Sequence, residues 1–179
     1  MKGIVFTELL EMIEKKFNYA LVDHLLTTSE LASGGIYTAV GTYDPAEMVT
    51  LVDNLSQEVQ IAVPDLLRMY GHYMFDKFRR DYSSFIDRYD NAFHLLQSIQ
   101  NSIHVEVKKI YPDAELPHFD VSQLAENHLC MYYRSERKLA DFAYGLIEAC
   151  LAHFNEKATI HQTILVNDGS QVRFDIVKL

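Results

Sequence analysis

One histidine and one cluster of hydrogen-bond donors are the residues whose types and spacing indicate chemistry. His104 lies in a predicted helix near an apolar face, within about 20° of Phe93 at about 100° per residue. A neutral imidazole in that setting can offer a ring nitrogen to a metal ion, but histidines at the boundary of a core also occur without a metal. Periodicity alone leaves both interpretations open.

The donor cluster consists of Tyr133, Ser135 and Arg137 within the segment Tyr133-Arg134-Ser135-Glu136-Arg137. In an extended segment alternate side chains share a face, so we expect Tyr133, Ser135 and Arg137 to point the same way. Their phenol, hydroxyl and guanidinium suit a ligand with two carboxylates, because arginine forms paired, charge-assisted hydrogen bonds to a carboxylate. The alternative is that Ser135 only caps the following helix and Arg137 is a surface charge.

The elements that must position these side chains change in type along the chain. Helical periodicity predicts helices through most of the first 110 residues, and a helix beginning at Asp90 and ending near Ile110 carries His104. The last third predicts two strands, a helix from Ser135 to Asn155, and a hairpin at 167–169. This order predicts an α+β fold, with a helical N-terminal half packed on a C-terminal half that has an antiparallel sheet of about four strands.

Composition excludes several classes of function. The 179 residues include 16 Lys and Arg against 25 Asp and Glu, so the formal charge is −9, which is unfavourable for nucleic-acid binding. Apolar runs fall short of the roughly 18 residues of a membrane span, and no signal peptide opens the sequence. Cys130 and Cys150 form no CxxC pair, which excludes a zinc ribbon and covalent haem attachment. We therefore expect a cytoplasmic protein with reduced thiols.

The spacing of these residues resembles that of the haem-nitric oxide/oxygen-binding (H-NOX) domain family, bacterial relatives of the haem sensor region of soluble guanylate cyclase. The resemblance rests on Tyr-x-Ser-x-Arg before a long helix with Pro117 and His104 upstream, on residues 1–5, and on residues 137–148. It covers essentially the whole chain. It implies a single sensor domain that binds haem b non-covalently between a helical subdomain, 1–62, and a subdomain of haem-ligating helices and strands, 63–179.

The resemblance also implies a role for each candidate residue on one side of the haem. His104 would be the proximal iron ligand, and Tyr133, Ser135 and Arg137 would hold the haem propionates. Pro117 would press on the porphyrin and help to distort it from planarity. Axial ligand, pocket polarity and macrocycle distortion are the means by which a protein tunes haem.

The choice of gas depends on the other side of the haem, where Ile4 and Leu146 would be apolar wall residues. Oxygen-binding members of the family carry a tyrosine five residues after the motif arginine, and this chain has Phe142 there. A hydrogen-bond donor stabilises the negative charge that develops on bound oxygen, whereas nitric oxide needs none. We therefore expect nitric oxide and carbon monoxide to bind with little oxygen affinity, unless Tyr70, His72 or Tyr73 supplies a donor.

The expected output is regulation in trans, because the chain ends at Leu179 without room for a cyclase or kinase domain. We also expect a monomer. The resemblance implies a separate histidine kinase or a cyclic-di-GMP enzyme, and we favour the kinase. Nitric oxide is expected to weaken the iron–His104 bond and so shift the two halves of the domain. Two other classes stay open: a peroxidase-like haem enzyme, which needs a distal acid and base, and a haem-free module whose donor cluster binds a carboxylate.

Overall fold

Helices occupy most of the first 110 residues and a β-β-α-β-β arrangement follows them, as the sequence predicts. The computed structural model of the chain describes residues 1–179. It divides into two compact units, residues 1–70 and 71–179. No helix combines the length and the apolar character that crossing a membrane requires.

The element bounds confirm the predicted α+β class. The helices are α1 Gly3–Lys16, α2 Tyr19–Thr28, α3 Pro45–Val59, α4 Val63–Asp81, α5 Ser83–Ile86, α6 Ala92–Ser98, α7 His104–Ile110 and α8 Ala140–His153, with a π-helical segment Ile99–Ile103 between α6 and α7. The strands are β1 His118–Ala125, β2 His128–Arg134, β3 Ala158–Ile164 and β4 Gln171–Lys178.

The first unit is helical, and short polar side chains begin its helices. Asn18 and Asp44 cap α2 and α3, because their side-chain oxygens accept hydrogen bonds from the N–H groups of Leu21 and Ala46, both at 2.9 Å. Pro45 takes the first helical position of α3, where its missing N–H costs nothing. The core consists of apolar side chains that are almost fully buried: Phe6, Leu9, Met12, Ile13, Leu25, Met48, Leu51 and Leu55.

The second unit is built on a four-stranded antiparallel sheet in the order β1-β2-β4-β3. Alternate residues of the strands point to one face and are buried there. They form a continuous core with apolar residues of α6 and α8. The strand residues of this core are Phe119, Leu129, Met131, Tyr133, Val172, Phe174 and Ile176.

The prediction of one helix from Asp90 to Ile110 is wrong in two respects. Its cap is Asn91, whose side chain accepts from the N–H of His94 at 3.0 Å. It is also interrupted by the π-helical segment, and the backbone N–H of His104 bonds to the carbonyl of Ile99. A π-helical turn takes up one residue more than an α-helical turn, so the helix beyond it is turned by about 100°. The predicted alignment of His104 with Phe93 therefore does not hold.

The helix predicted from Ser135 begins instead at Ala140. Ser135 does not cap it, because the Ser135 hydroxyl accepts from the N–H of Arg137 at 3.2 Å and closes a local turn. Leu139 is the residue before the first helical position, and its N–H donates to the hydroxyl of Tyr133 at 3.0 Å. The turn between β2 and α8 is thus built by the donor cluster itself.

Candidate functional site

His104 is the first residue of α7 and has an unusual electrostatic setting. Its Nδ1 atom is buried and has no hydrogen-bond partner. Burial, and then the positive charge of Lys108 and the neighbouring His118, lower the pKa of His104 to about 4. The imidazole is therefore neutral near pH 7 and keeps the lone pair that a metal ligand needs.

A buried nitrogen without a partner is an exception that calls for an explanation. Leaving a buried polar group unsatisfied costs about 1–3 kcal/mol, and most buried polar atoms in proteins are paired. Iron ligation suits this ring because one nitrogen would bind the metal and the other would carry the hydrogen. The buried Nδ1 of His104 and the neutral state of its imidazole thus fit a haem ligand.

The position of His104 depends on a link between the π-helical segment and the sheet. The side-chain oxygen of Gln100 accepts a hydrogen bond from the backbone N–H of Phe119 at 3.0 Å. The ring of Phe119 lies 6.0 Å from the His104 ring, measured between centroids. Pro117, which is half-buried, comes directly before β1. The sequence predicted none of this link, because neither a π-helical turn nor the Gln100 contact has a clear local signature.

Of the three residues of the donor cluster, Tyr133 lies in β2, whereas Ser135 and Arg137 follow the end of that strand. The Tyr133 side chain is buried, and burial raises the pKa of its phenol. A hydrogen bond with Ser135 and the positive charge of Arg137 act against that rise, so the three side chains are close enough to interact. Ser135 and Arg137 therefore lie in a turn after β2 rather than in an extended segment through residue 137.

Arg137 already holds a carboxylate. Its side chain is only 17% exposed, and its Nη2 donates to Oε2 of Glu115 at 2.7 Å. Its Nη1 donates to the backbone carbonyl of the same residue. The side chain of Glu115 is 86% exposed. Glu115 was not predicted as part of the site, since it lies 22 positions from Arg137 in the chain.

Phe142 and Leu146 lie on α8, where α4 crosses at close range. A Cβ atom on Gly71 of α4 would clash with the backbone carbonyl of Phe142 and would lie 2.7 Å from the backbone nitrogen of Leu146. Only glycine fits at this crossing without displacement of the backbone. The hydroxyl of Tyr144 donates to the carbonyl of Ile160 on β3 at 3.4 Å, so it is directed to the sheet.

Two of the alternative donors are occupied. The Tyr70 hydroxyl donates to the carbonyl of Val5 at 2.6 Å, and Nε2 of His72 lies 3.0 Å from Oε2 of Glu148. Ile4 lies in α1 within the first unit, half-buried, and its N–H donates to the carbonyl of Ala39 at 2.9 Å. No group of three or more histidine, cysteine or acidic side chains lies close enough together to hold a metal ion.

The chain is similar to known haem proteins over its whole length. The sequence profile of the Haem-NO-binding family matches residues 2–162. The ferrous, unliganded H-NOX protein from K. algicida is 43% identical, with a TM-score of 0.95 over 100% of this chain and 97% of that one. The IWP-051-bound H-NOX from Shewanella woodyi, in the Fe(II)CO state, is 40% identical, with a TM-score of 0.84 over 100% and 95%.

An H-NOX protein from S. oneidensis in the Fe(II)NO state is 25% identical, with a TM-score of 0.91 over 100% of this chain and 99% of that one. No curated protein sequence matches the chain.

Proposed function

The chain belongs to the Haem-NO-binding family of haem-based gas sensors, the H-NOX proteins, and from this premise we propose that it senses nitric oxide through haem b held by His104. The observation that carries the proposal is the buried, neutral imidazole of His104 with its unpaired Nδ1. Haem supplies an iron centre to which a diatomic gas binds reversibly. The chain acts as a cytoplasmic monomer and as a sensor rather than as an enzyme.

The remaining site residues have supporting roles in this proposal. Arg137, Ser135 and Tyr133 hold the haem carboxylates. The hydrogen bond from Arg137 to the Glu115 carboxylate supports this role for Arg137. Pro117, two residues before Phe119, presses on the porphyrin. Leu146 and Ile4, which are both half-buried, form apolar walls.

Nitric oxide is the proposed ligand because Phe142, Tyr144, Tyr70 and His72 offer bound oxygen no hydrogen-bond donor. Phe142 has none, the Tyr144 hydroxyl bonds to the sheet, and Tyr70 and His72 are engaged elsewhere. The related proteins from S. oneidensis and Shewanella woodyi were solved with nitric oxide and carbon monoxide respectively. Carbon monoxide is therefore proposed as a second ligand.

Absorption spectra of the reduced, haem-loaded chain test the choice of gas. They are recorded without gas, with nitric oxide, with carbon monoxide and in air. We expect both nitric oxide and carbon monoxide to shift the spectrum, and air to give no stable oxygen complex. A stable oxygen complex would leave the family and His104 in place but would overturn the proposed ligand.

The proposed output acts in trans on a separate histidine kinase, with a cyclic-di-GMP enzyme as the second choice. His104 would hold the haem at the start of α7, and a change at His104 would reach β1 through the π-helical segment, which Gln100 ties to that strand. Ligand binding shifts a two-state equilibrium only if the states differ in affinity, and the hold of His104 on the haem would supply that difference. We expect a haem-retaining His104→Gly variant to affect kinase autophosphorylation as nitric oxide affects it in the wild type. Wild-type behaviour of that variant would overturn the output mechanism.

A haem-free module that binds a carboxylate is the second candidate function. It is favoured by one specific contact, the hydrogen bond from Arg137 to the Glu115 carboxylate, which supports a role of this guanidinium in binding such a group. A folded, colourless chain that takes up no added haem would support this candidate over the gas sensor.

A further inference from the structure

We propose that the carboxylate of Glu115 occupies Arg137 as a stand-in for a haem carboxylate until haem binds, and that Glu115 competes with haem for this guanidinium. The inference rests on the proposed function and deepens it. It assigns a positioning role to a residue outside the Tyr-x-Ser-x-Arg pattern.

The contacts of Arg137 divide into one that can persist and one that haem would replace. Nη1 donates to the backbone carbonyl of Glu115, which belongs to the main chain and is independent of the side chain. Nη2 donates to Oε2 of Glu115 at 2.7 Å. A haem propionate ends in the same chemical group as the Glu115 side chain, so the same donor serves either carboxylate.

The two side chains differ in exposure, so Glu115 can leave the ion pair with little loss of free energy whereas Arg137 needs a partner. The Glu115 side chain is 86% exposed, so its carboxylate regains water when it leaves the guanidinium. Arg137 is only 17% exposed, and a largely buried charge without a partner is strongly unfavourable. Glu115 therefore provides Arg137 with a partner and can leave it with little loss of free energy when another carboxylate arrives.

The position of Glu115 connects this exchange to the proximal side of the site. Glu115 precedes Pro117 by two residues and lies in the loop between α7, which begins with His104, and β1. The ion pair ties this loop to the turn after β2. Replacement of Glu115 by a haem carboxylate loosens the side-chain part of that tie.

The test measures how fast the haem-loaded chain gives up haem to excess apomyoglobin, for the wild type and Glu115→Gln. We expect the variant to lose haem about two- to fivefold more slowly, which is the range for a partly exposed ion pair. Glu136→Gln is the matched control: Glu136 is an exposed carboxylate one residue before Arg137, and its neutralisation changes the net charge equally. We expect Glu136→Gln to lose haem at the wild-type rate.

Haem dimethyl ester separates competition from a structural effect. Its esterified groups cannot pair with Arg137 as carboxylates, so Glu115→Gln and the wild type should release it at equal rates. The inference alone is overturned if Glu115→Gln loses ordinary haem as fast as the wild type or faster. It is also overturned if the two proteins differ as much in their loss of the dimethyl ester as in their loss of haem. A wild-type chain that takes up no haem overturns the proposed function and this inference together.

Discussion

The rings of His104 and Phe119 lie with their centroids 6.0 Å apart, at an interplanar angle of 50°. The same Phe119 ring makes an edge contact with Tyr133, at 5.5 Å between centroids. A single phenyl ring on β1 therefore separates the proposed iron ligand from the donor cluster that is proposed to hold the haem carboxylates. The imidazole and the donors are fixed relative to each other by the core of the second unit.

Truncation of this ring should destabilise the fold strongly. Phe119 is 7% exposed, and we expect Phe119→Ala to lower the free energy of unfolding by about 3–5 kcal/mol, as is usual for a buried aromatic side chain. Urea denaturation measures the loss. Leu124→Ala, on the same strand but 60% exposed, is the control, and it should change stability by less than about 1 kcal/mol. Similar losses in both variants would contradict the central position of Phe119.

The unpaired Nδ1 predicts opposite effects of His104→Leu with and without haem. In the haem-free chain the substitution removes an unsatisfied buried nitrogen, so stability should stay the same or rise by up to about 3 kcal/mol. With haem present, His104→Leu should lack the additional stability that haem gives to the wild type. His161→Leu, at an exposed histidine of β3, should change neither quantity. A marked loss of stability in haem-free His104→Leu would show that the imidazole has a structural partner.

The lowered pKa of His104 predicts how the stability of the haem-free chain depends on pH. The pKa falls from 6.5 to about 4 on folding, so between these values the unfolded chain binds more protons than the folded chain. Stability is therefore unaffected by His104 above about pH 6.5 and decreases as the pH falls towards 4. Unfolding free energies at pH 7 and pH 4.5 should differ more in the wild type than in His104→Leu. If the unfolding free energies of the wild type and His104→Leu changed in parallel with pH, the imidazole of His104 would not be buried in its neutral form.

Phe142→Tyr should give the haem-loaded chain a measurable affinity for oxygen. A phenol at this position adds a donor for the charge on bound oxygen, and one such hydrogen bond corresponds to about a tenfold gain in affinity. Oxygen titration of the ferrous protein measures the gain. Tyr144→Phe is the matched control, because the Tyr144 hydroxyl bonds to Ile160. Unchanged oxygen binding in Phe142→Tyr would show that residue 142 does not face the gas.

Both thiols should be inert in the folded chain. Burial raises the pKa of Cys150 to about 12 and also raises that of Cys130, so almost no thiolate forms at pH 8. We expect iodoacetamide to leave both residues unmodified in native protein and to modify both in urea, as seen by mass spectrometry. Rapid native labelling of either cysteine would point to a redox role.

Patterns confined to a few neighbouring residues predicted their elements well. The Asp44-Pro45 pair predicted the beginning of α3, and the hairpin at residues 167–169 joins β3 and β4 as expected. Capping was ambiguous where two suitable residues are adjacent, since Asn91 rather than Asp90 caps α6. Both are good caps, and only the backbone geometry distinguishes them.

Features that depend on distant contacts could not be predicted in this way. The π-helical turn before His104 is held in part by a hydrogen bond between Gln100 and Phe119, which lie 19 positions apart. The Glu115–Arg137 pair spans 22 positions. Local periodicity contains no information on such pairs, so the residue types of the candidate site were predictable and its internal connections were not.

Titration of the haem-free chain with haem, followed by absorption after reduction, tests the central claim most directly. We predict saturation at one equivalent and a five-coordinate ferrous spectrum. We also predict that the histidine-dependent features are lost in His104→Gly and return when imidazole is added. Absence of saturable uptake, or a His104→Gly spectrum identical to the wild type without imidazole, would contradict the assignment of His104 as the haem ligand.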